Sequence, residues 1–216
     1  MLHMCKVCQS QTTTFHHPVF GEYHFCPHCE YISKDEHHMV SAEAELKIYD
    51  SHNNSTDNTG YVDFLYHFLN DAVFPYVGEN KQALDFGSGP VPVLAQLLEQ
   101  NHNYVVDIYD LFYAPEKVYQ GKNYGLITTT EVVEHLAEPM EYFRQFAKLM
   151  KPDGVLAVMT LFHPNDMSLF NNWHYIRDRS HVSFYTAKTM HYIAGKAGLK
   201  VIHTDGLRHI TFMLDN

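Results

Sequence analysis

Tyr61, Val62, Phe64, Leu65, Phe68, Leu69, Ala72 and Val73 recur at helical spacing, with Pro75 closing the run, so residues 61–73 predict an amphipathic helix. Residues 82–86 then read as a short apolar strand ending at Gly87-Ser88-Gly89, followed by a helical run over 91–100. Strand, glycine turn and helix in that order open an α/β sheet. The alternation continues with strands over 104–109 and 125–129, a helix over 132–150 and a strand over 155–160. After a long irregular stretch come a helix over 186–197 and a strand over 199–203. Asp205-Gly206 then reads as a two-residue hairpin turn into a last, antiparallel strand over 207–214.

The first forty residues follow a different logic. All four cysteines lie there, as Cys5-Lys6-Val7-Cys8 and Cys26-Pro27-His28-Cys29 with seventeen residues between the pairs. Each C-x-x-C directs two thiolates at one ion, and two such knuckles complete a closed S4 site, so the spacing predicts a structural zinc ribbon. Four cysteines suffice, which leaves His28, His37 and His38 as surface residues. The predicted organisation is a ribbon over 1–38, a linker or cofactor-covering segment over 39–60 and an α/β domain over 61–216.

Composition narrows the partners. Hydrophobic residues make up 45% and charged residues 19% of the 216, which supports a substantial core and excludes disordered and low-complexity classes. No run approaches the roughly 18 apolar residues of a membrane span, and residues 1–5 do not read as a secretion signal, so the expected address is cytoplasmic. A net charge of −10 argues against nucleic acid, and the ribbon lacks the basic face such binding uses.

The glycine turn discriminates among cofactors. Pro92 occupies the third glycine position of a dinucleotide fingerprint and Pro90 sits in the same turn, removing backbone N–H donors that a pyrophosphate needs. A Walker loop is absent. S-adenosylmethionine does not need those donors; it needs close backbone approach, an acid near its amino group and an acid for its ribose hydroxyls. Asp85 and Asp110 are placed for those two tasks, Asp110 at the end of the next strand.

Residues 83–95 resemble motif I of class I S-adenosylmethionine-dependent methyltransferases. Glu131-Val132-Val133-Glu134-His135 is similar to the family's motif after strand 4, and Leu149-Met150-Lys151-Pro152-Asp153-Gly154 to its turn into strand 5. The likeness covers roughly residues 45–214 and is strongest to ubiquinone-biosynthesis-like methyltransferases that carry a zinc ribbon. It implies a Rossmann-like sheet of seven strands with an antiparallel last strand. It also implies Gly87, Ser88 and Gly89 against the cofactor's methionine part and Tyr49 in a segment laid over the cofactor, with the Asn53-Asn54 pair nearby. Val91 stands where motif I has its third glycine, and the short stretch 111–124 leaves little room for the usual third strand.

Other candidates follow from position. Leu111 and Phe112 follow the ribose acid and are candidates either to flank the adenine ring or to pack in the core, and Thr130 and Glu131 end a strand at the carboxyl edge of the sheet. His135, four residues after Glu131, is a candidate general base, oriented by that carboxylate across one helix face. The long loop offers His174 and His181 as alternative bases, aromatic residues Trp173, Phe184 and Tyr185 for a substrate cap or a satellite core, and Arg177 and Arg179 for a substrate carboxylate. The expected activity is methyl transfer to an oxygen, nitrogen or carbon of a small-molecule or carrier-bound acceptor. The alternatives are an RNA or protein methyltransferase that uses the ribbon for its substrate, and a non-catalytic cofactor-binding module.

Overall fold

A computed structural model describes residues 3–50 and 55–215, so Asn53 and Asn54 lie outside the described residues. β1 (Thr13–His17) and β2 (Gly21–Phe25) form a hairpin, and β3 (Ile32–Lys34) pairs antiparallel with β2. A fourth strand, β8 (Ser183–Phe184), comes from far along the chain and pairs with β3, which makes the ribbon sheet β1-β2-β3-β8.

The main sheet contains β4 (Gln82–Phe86), β5 (Val105–Tyr109), β6 (Tyr124–Thr130), β7 (Met150–Met159), β9 (Leu199–Thr204) and β10 (His209–Leu214), in the order β5-β4-β6-β7-β10-β9. The first four are parallel, and β10 runs antiparallel to both neighbours. Six strands replace the seven of the family pattern. Between Asp110 and Tyr124 the chain makes only the isolated bridge Asp110 to Ala114, in line with the shortness of that stretch.

Neighbouring residues of each central strand face opposite sides, as the strand period requires. Ala83, Leu126 and Ala157 pack with α2 (Thr59–Phe68), its π-helical continuation Leu69–Val73, and α3 (Val93–His102). Leu84, Ile127 and Leu156 pack on the other face with α4 (Pro139–Leu149) and α6 (Ala187–Ala197), the one-turn α5 (Met167–Phe170) lying between those two in the chain. Cys5, Cys26, Cys29 and Tyr31 belong to this second cluster, so the ribbon is built into the domain core.

Four local expectations change. The 39–60 linker holds a helix, α1 (Ala42–Tyr49), capped by the Ser41 side chain. The helix expected from 132 starts only at Pro139, after a single 3-10 turn Val133–His135, because proline is suited to a first helical turn. β7 begins at Met150. The last hairpin has four residues between its strands, Asp205 accepting the N–H groups of Leu207, Arg208 and His209.

Candidate active site

β4 delivers the first group of site residues. Gly87 and Gly89 hold φ of +87° and +67°, and a Cβ on Gly87 would lie 2.2 Å from Val132 Cγ2. The loop folds back on the next strand: Gly87 and Ser88 donate their N–H groups to the Tyr109 carbonyl. Gly89 N–H goes to Asp110 Oδ2 at 2.9 Å, while Asp110 Oδ1 accepts from Phe112 and Tyr113. Asp110 therefore fixes the shape of both turns at the carboxyl edge.

Beside this loop lies a cavity of about 820 Å³. Its wall includes Asp85, Gly87, Ser88, Gly89, Asp110, Leu111, Phe112, Thr130, Glu131 and Tyr49, so every cofactor-contact candidate from the sequence is brought to one space. Asp85 is 2% exposed and accepts a hydrogen bond from Thr128 Oγ1 at 3.0 Å. Burial, with the Asp110 charge adding to it, pushes the Asp85 carboxyl up to about 7. Ser88 Oγ and Glu131 Oε1 are buried without a hydrogen-bond partner. A buried polar atom without a partner on a cavity wall marks a place where a polar ligand completes the hydrogen bonding.

The same cavity wall carries His135 and His181, ring centroids 4.8 Å apart, together with Glu45 and Asp178. His135 Nδ1 meets the Ser180 carbonyl at 3.3 Å and lies 3.8 Å from Glu45 Oε1. His181 Nδ1 meets the Tyr175 carbonyl at 2.8 Å, with Nε2 3.8 Å from Asp178 Oδ2. Tyr49 stacks edge-on against both His135 and Phe112 and donates its hydroxyl to Glu45 at 2.7 Å. His174 is exposed and outside this wall. Arg177 and Arg179 are likewise outside it, while Trp173 and Phe184 pack with Tyr23, Ile32 and Phe170 in a satellite core between loop and ribbon.

Glu131 does not orient His135. Its backbone sits in the left-handed region (φ +54°), so the two residues share no helix face, and its Oε2 lies 3.0 Å from the Tyr175 hydroxyl. The same hydroxyl contacts Glu134, which is fully buried. Burial and the Glu131 charge hold the Glu134 carboxyl well above the usual carboxylate range. One phenolic proton cannot serve two acceptors. The Tyr175 hydroxyl stands within donating reach of both carboxyls and serves one of them at a time.

The four cysteines are free of disulfides, with Sγ atoms 3.5 Å apart for Cys5 and Cys29 and 3.4 Å for Cys8 and Cys26. Tetrahedral bonds of about 2.3 Å require sulfurs roughly 3.8 Å apart, so a small expansion would admit zinc. The Val7 and Cys8 N–H groups point at Cys5 Sγ, as expected of a knuckle. Cys5 takes the charge, its thiol lowered to about 5 by the Cys29 hydrogen bond, while burial pushes Cys26 up to about 11. A dication is what allows all four to ionise together. Other groups bring three ligand atoms within 4.8 Å, among them Glu134 with His135 and His181, and Asp71 with Asp205 and His209; among the described residues only the cysteines form a closed four-sulfur set.

Residues 61–204 match the family model described as a methyltransferase domain. The chain belongs to that methyltransferase family. A stretch of 38 residues is 47% identical to the ubiquinone biosynthesis O-methyltransferase of Caulobacter vibrioides, spanning 18% of this chain and 15% of that enzyme. Among solved structures, an O-methyltransferase family protein from Burkholderia thailandensis aligns with a TM-score of 0.56 at 13% identity, covering 82% of this chain and 61% of its own. The mitomycin 7-O-methyltransferase MmcR aligns at 0.55 and 14%, covering 79% and 60%. NcsB1, an O-methyltransferase of neocarzinostatin biosynthesis solved with S-adenosylhomocysteine and 1,4-dihydroxy-2-naphthoic acid, aligns at 0.51 and 12%, covering 71% and 56%. The chain thus spans about 60% of the length of these solved relatives, and they share its fold. The family resemblance read from motif I is borne out.

Among the wall residues the sequence reading missed are Glu45, Tyr61, Phe64 and Asp178. Glu45 was hidden in a helix whose signal, Ser41 before Ala42, lies inside an apparent linker. Tyr61 and Phe64 were read only as the apolar stripe of α2. Asp178 had no local signal, because it reaches the cavity only through the docking of its loop onto the ribbon. Among the described residues, no helix is long and apolar enough to cross a membrane.

Proposed function

We propose that this protein is an S-adenosylmethionine-dependent methyltransferase acting on a small-molecule or carrier-bound acceptor, with zinc as a structural ion on Cys5, Cys8, Cys26 and Cys29. The observation that carries the reading is one cavity in which the glycine loop, Asp85 and Asp110 meet a pair of histidines. S-adenosylmethionine supplies an electrophilic methyl group on a sulfonium. Asp85 would hold its ammonium and Asp110 its ribose hydroxyls, while Leu111 and Phe112 border the adenine. Ser88 Oγ gains the partner it lacks. Methyl transfer depends first on in-line positioning, which the cavity wall provides. His135 and His181, on the same wall, would face the acceptor, and either imidazole could take a proton from the attacking group as the methyl moves.

The ribbon's role is to shape the acceptor wall. Lys34 N–H donates to the Val182 carbonyl, buried Lys34 Nζ to the Arg179 carbonyl at 3.1 Å, and Tyr31 pairs with Ser183 at 2.6 Å. His163 Nε2 reaches the Glu30 carbonyl at 2.7 Å, and burial lowers its pKa to about 4, so it is a neutral donor there. These bonds fix the segment that carries Asp178 and His181. Calorimetric titration tests the reading. Micromolar binding of S-adenosylmethionine and S-adenosylhomocysteine without NAD is expected, and zinc-loaded, folded protein that binds neither would overturn it.

A further inference from the structure

The amino-acid arm of S-adenosylmethionine ends in a zwitterion, and Asp85 answers only its ammonium. The carboxylate beside it needs N–H or O–H donors of its own once it leaves water. No lysine or arginine among the described residues lines the cavity. The glycine loop has no donor to spare: Gly87 and Ser88 give their N–H groups to the Tyr109 carbonyl, Gly89 gives its own to Asp110, and Pro90 has none. Hydroxyl groups near Asp85 are the other donors on that part of the wall.

Alternate residues of β4 face opposite sides of the sheet, so Asp85 shares the side of Ala83, which packs toward α2 and α3. Tyr61, in the first turn of α2, packs against the same cluster and lines the cavity. Its N–H is bonded to Asn58, while its hydroxyl has no hydrogen-bond partner among the described residues. Burial, then the charges of Asp85 and Glu131, push the phenol up to about 12, so it keeps its proton and has those two acids as neighbours. Ser88 Oγ is also buried without a partner. The other wall tyrosines are engaged or stand elsewhere. Tyr49 donates to Glu45 and Tyr113 to Asp50, while Tyr109 and Tyr142 pack around Phe86 on the opposite side of the sheet. His135 stands against Tyr49 and His181 rather than Asp85.

We propose that the Tyr61 hydroxyl, together with that of Ser88, holds the carboxylate of S-adenosylmethionine while Asp85 holds its ammonium. The proposal rests on the methyltransferase reading and adds to it a cofactor-binding residue from α2, an element outside the glycine loop. Hydrogen bonds to an ionised acceptor are the strong kind, so two neutral hydroxyls can do here what an arginine would do, without bringing a positive charge toward the sulfonium. Holding the arm at both of its charges also fixes the sulfur, and with it the line along which the methyl leaves.

The test is calorimetry on zinc-loaded protein with S-adenosylhomocysteine and two probes that lack its carboxylate: decarboxylated S-adenosylhomocysteine, which keeps the amine, and methylthioadenosine, which lacks the whole arm. Tyr61→Phe keeps the ring that packs in the cluster and removes only the donor. It is expected to weaken S-adenosylhomocysteine about tenfold or more, the loss of a hydrogen bond to a charged group, and to change the two probes less than about twofold. Ser88→Ala should show the same pattern. A Tyr61→Phe variant that binds S-adenosylhomocysteine as tightly as the wild type overturns the proposal. So does one that loses the same factor on all three ligands, because the hydroxyl would then act on the shape of the cavity and not on the carboxylate. Either result leaves the methyltransferase reading standing. Failure of the wild type to bind S-adenosylhomocysteine overturns that reading instead.

Discussion

The Thr189 hydroxyl donates to the carbonyl oxygen of Cys29 at 2.8 Å, tying the first turn of α6 to the second cysteine knuckle. Thr186 reinforces the tie by donating to Glu30 Oε2 at 2.9 Å, and Lys188 pairs with the same carboxylate. The ribbon, α6 and the loop before it therefore form one cooperative block.

Zinc removal should be felt in that block first. Metal analysis of untagged protein is expected to give one zinc per chain, and less than half an equivalent would count against the site. Cys29→Ser or chelation should lower the melting midpoint; a loss of about 3 kcal/mol corresponds to roughly 6–12 °C for a chain of this size. Hydrogen exchange should rise over residues 163–186 and stay slow over 82–86. A uniform rise across both segments would show that the ribbon is not selectively coupled to the acceptor wall.

Asp85 makes a signed prediction in pH. Its carboxyl is pushed up to about 7 by burial, against about 3.9 in an unfolded chain. Between those values the folded protein holds the extra proton, so stability of the ligand-free chain falls as pH rises from about 4 to 7, by roughly 4 kcal/mol at most. Asp85→Asn should remove that slope in denaturant titrations. Cofactor binding should run the opposite way, strengthening up to about tenfold per pH unit toward 7, because the ligand's ammonium favours the ionised carboxylate. An affinity that is flat from pH 5.5 to 7.5 in the wild type would exclude Asp85 as the ammonium partner.

Strands and glycine loop were legible in the sequence because they are local. The apolar runs at 82–86, 104–109 and 125–129 each sit within a residue of an observed strand, and Gly87 and Gly89 adopt the positive φ their turn demands. What was not legible is set by distant contacts. β8 has two residues, too few for a pattern, and exists because Ile32 and Ser33 offer it an edge. The same docking separates His181, drawn into the cavity, from His174, left at the surface seven positions earlier. The 3-10 turn Val133–His135 replaced a helix for a local reason: Pro139 marks the true start.

The Tyr175 hydroxyl is the only hydrogen-bond partner that Glu131 and Glu134 share among the described residues. Tyr175→Phe leaves both carboxyls short of a buried partner, which costs about 1–3 kcal/mol. Glu134→Gln should cost less than half of that, since burial and the Glu131 charge favour the neutral form of Glu134 and glutamine preserves its shape. Denaturant unfolding at pH 7 measures both. A Gln variant as destabilised as the Phe variant would mean that Glu134 carries charge in the folded protein.

Gly87 is constrained twice, by φ of +87° and by Val132 Cγ2, 2.2 Å from where a Cβ would stand. Gly87→Ala should therefore abolish S-adenosylhomocysteine binding and lower stability by more than the roughly 1 kcal/mol that positive φ alone costs an alanine. The two causes separate in a double variant. Val132→Ala removes the Cγ2 clash but leaves the Val132 Cβ position 3.2 Å away and the dihedral unchanged. Gly87→Ala with Val132→Ala should recover part of the stability, and its remaining deficit measures the backbone strain. Full recovery would show that the loop tolerates a side chain at 87, and that the glycine serves ligand approach rather than the turn.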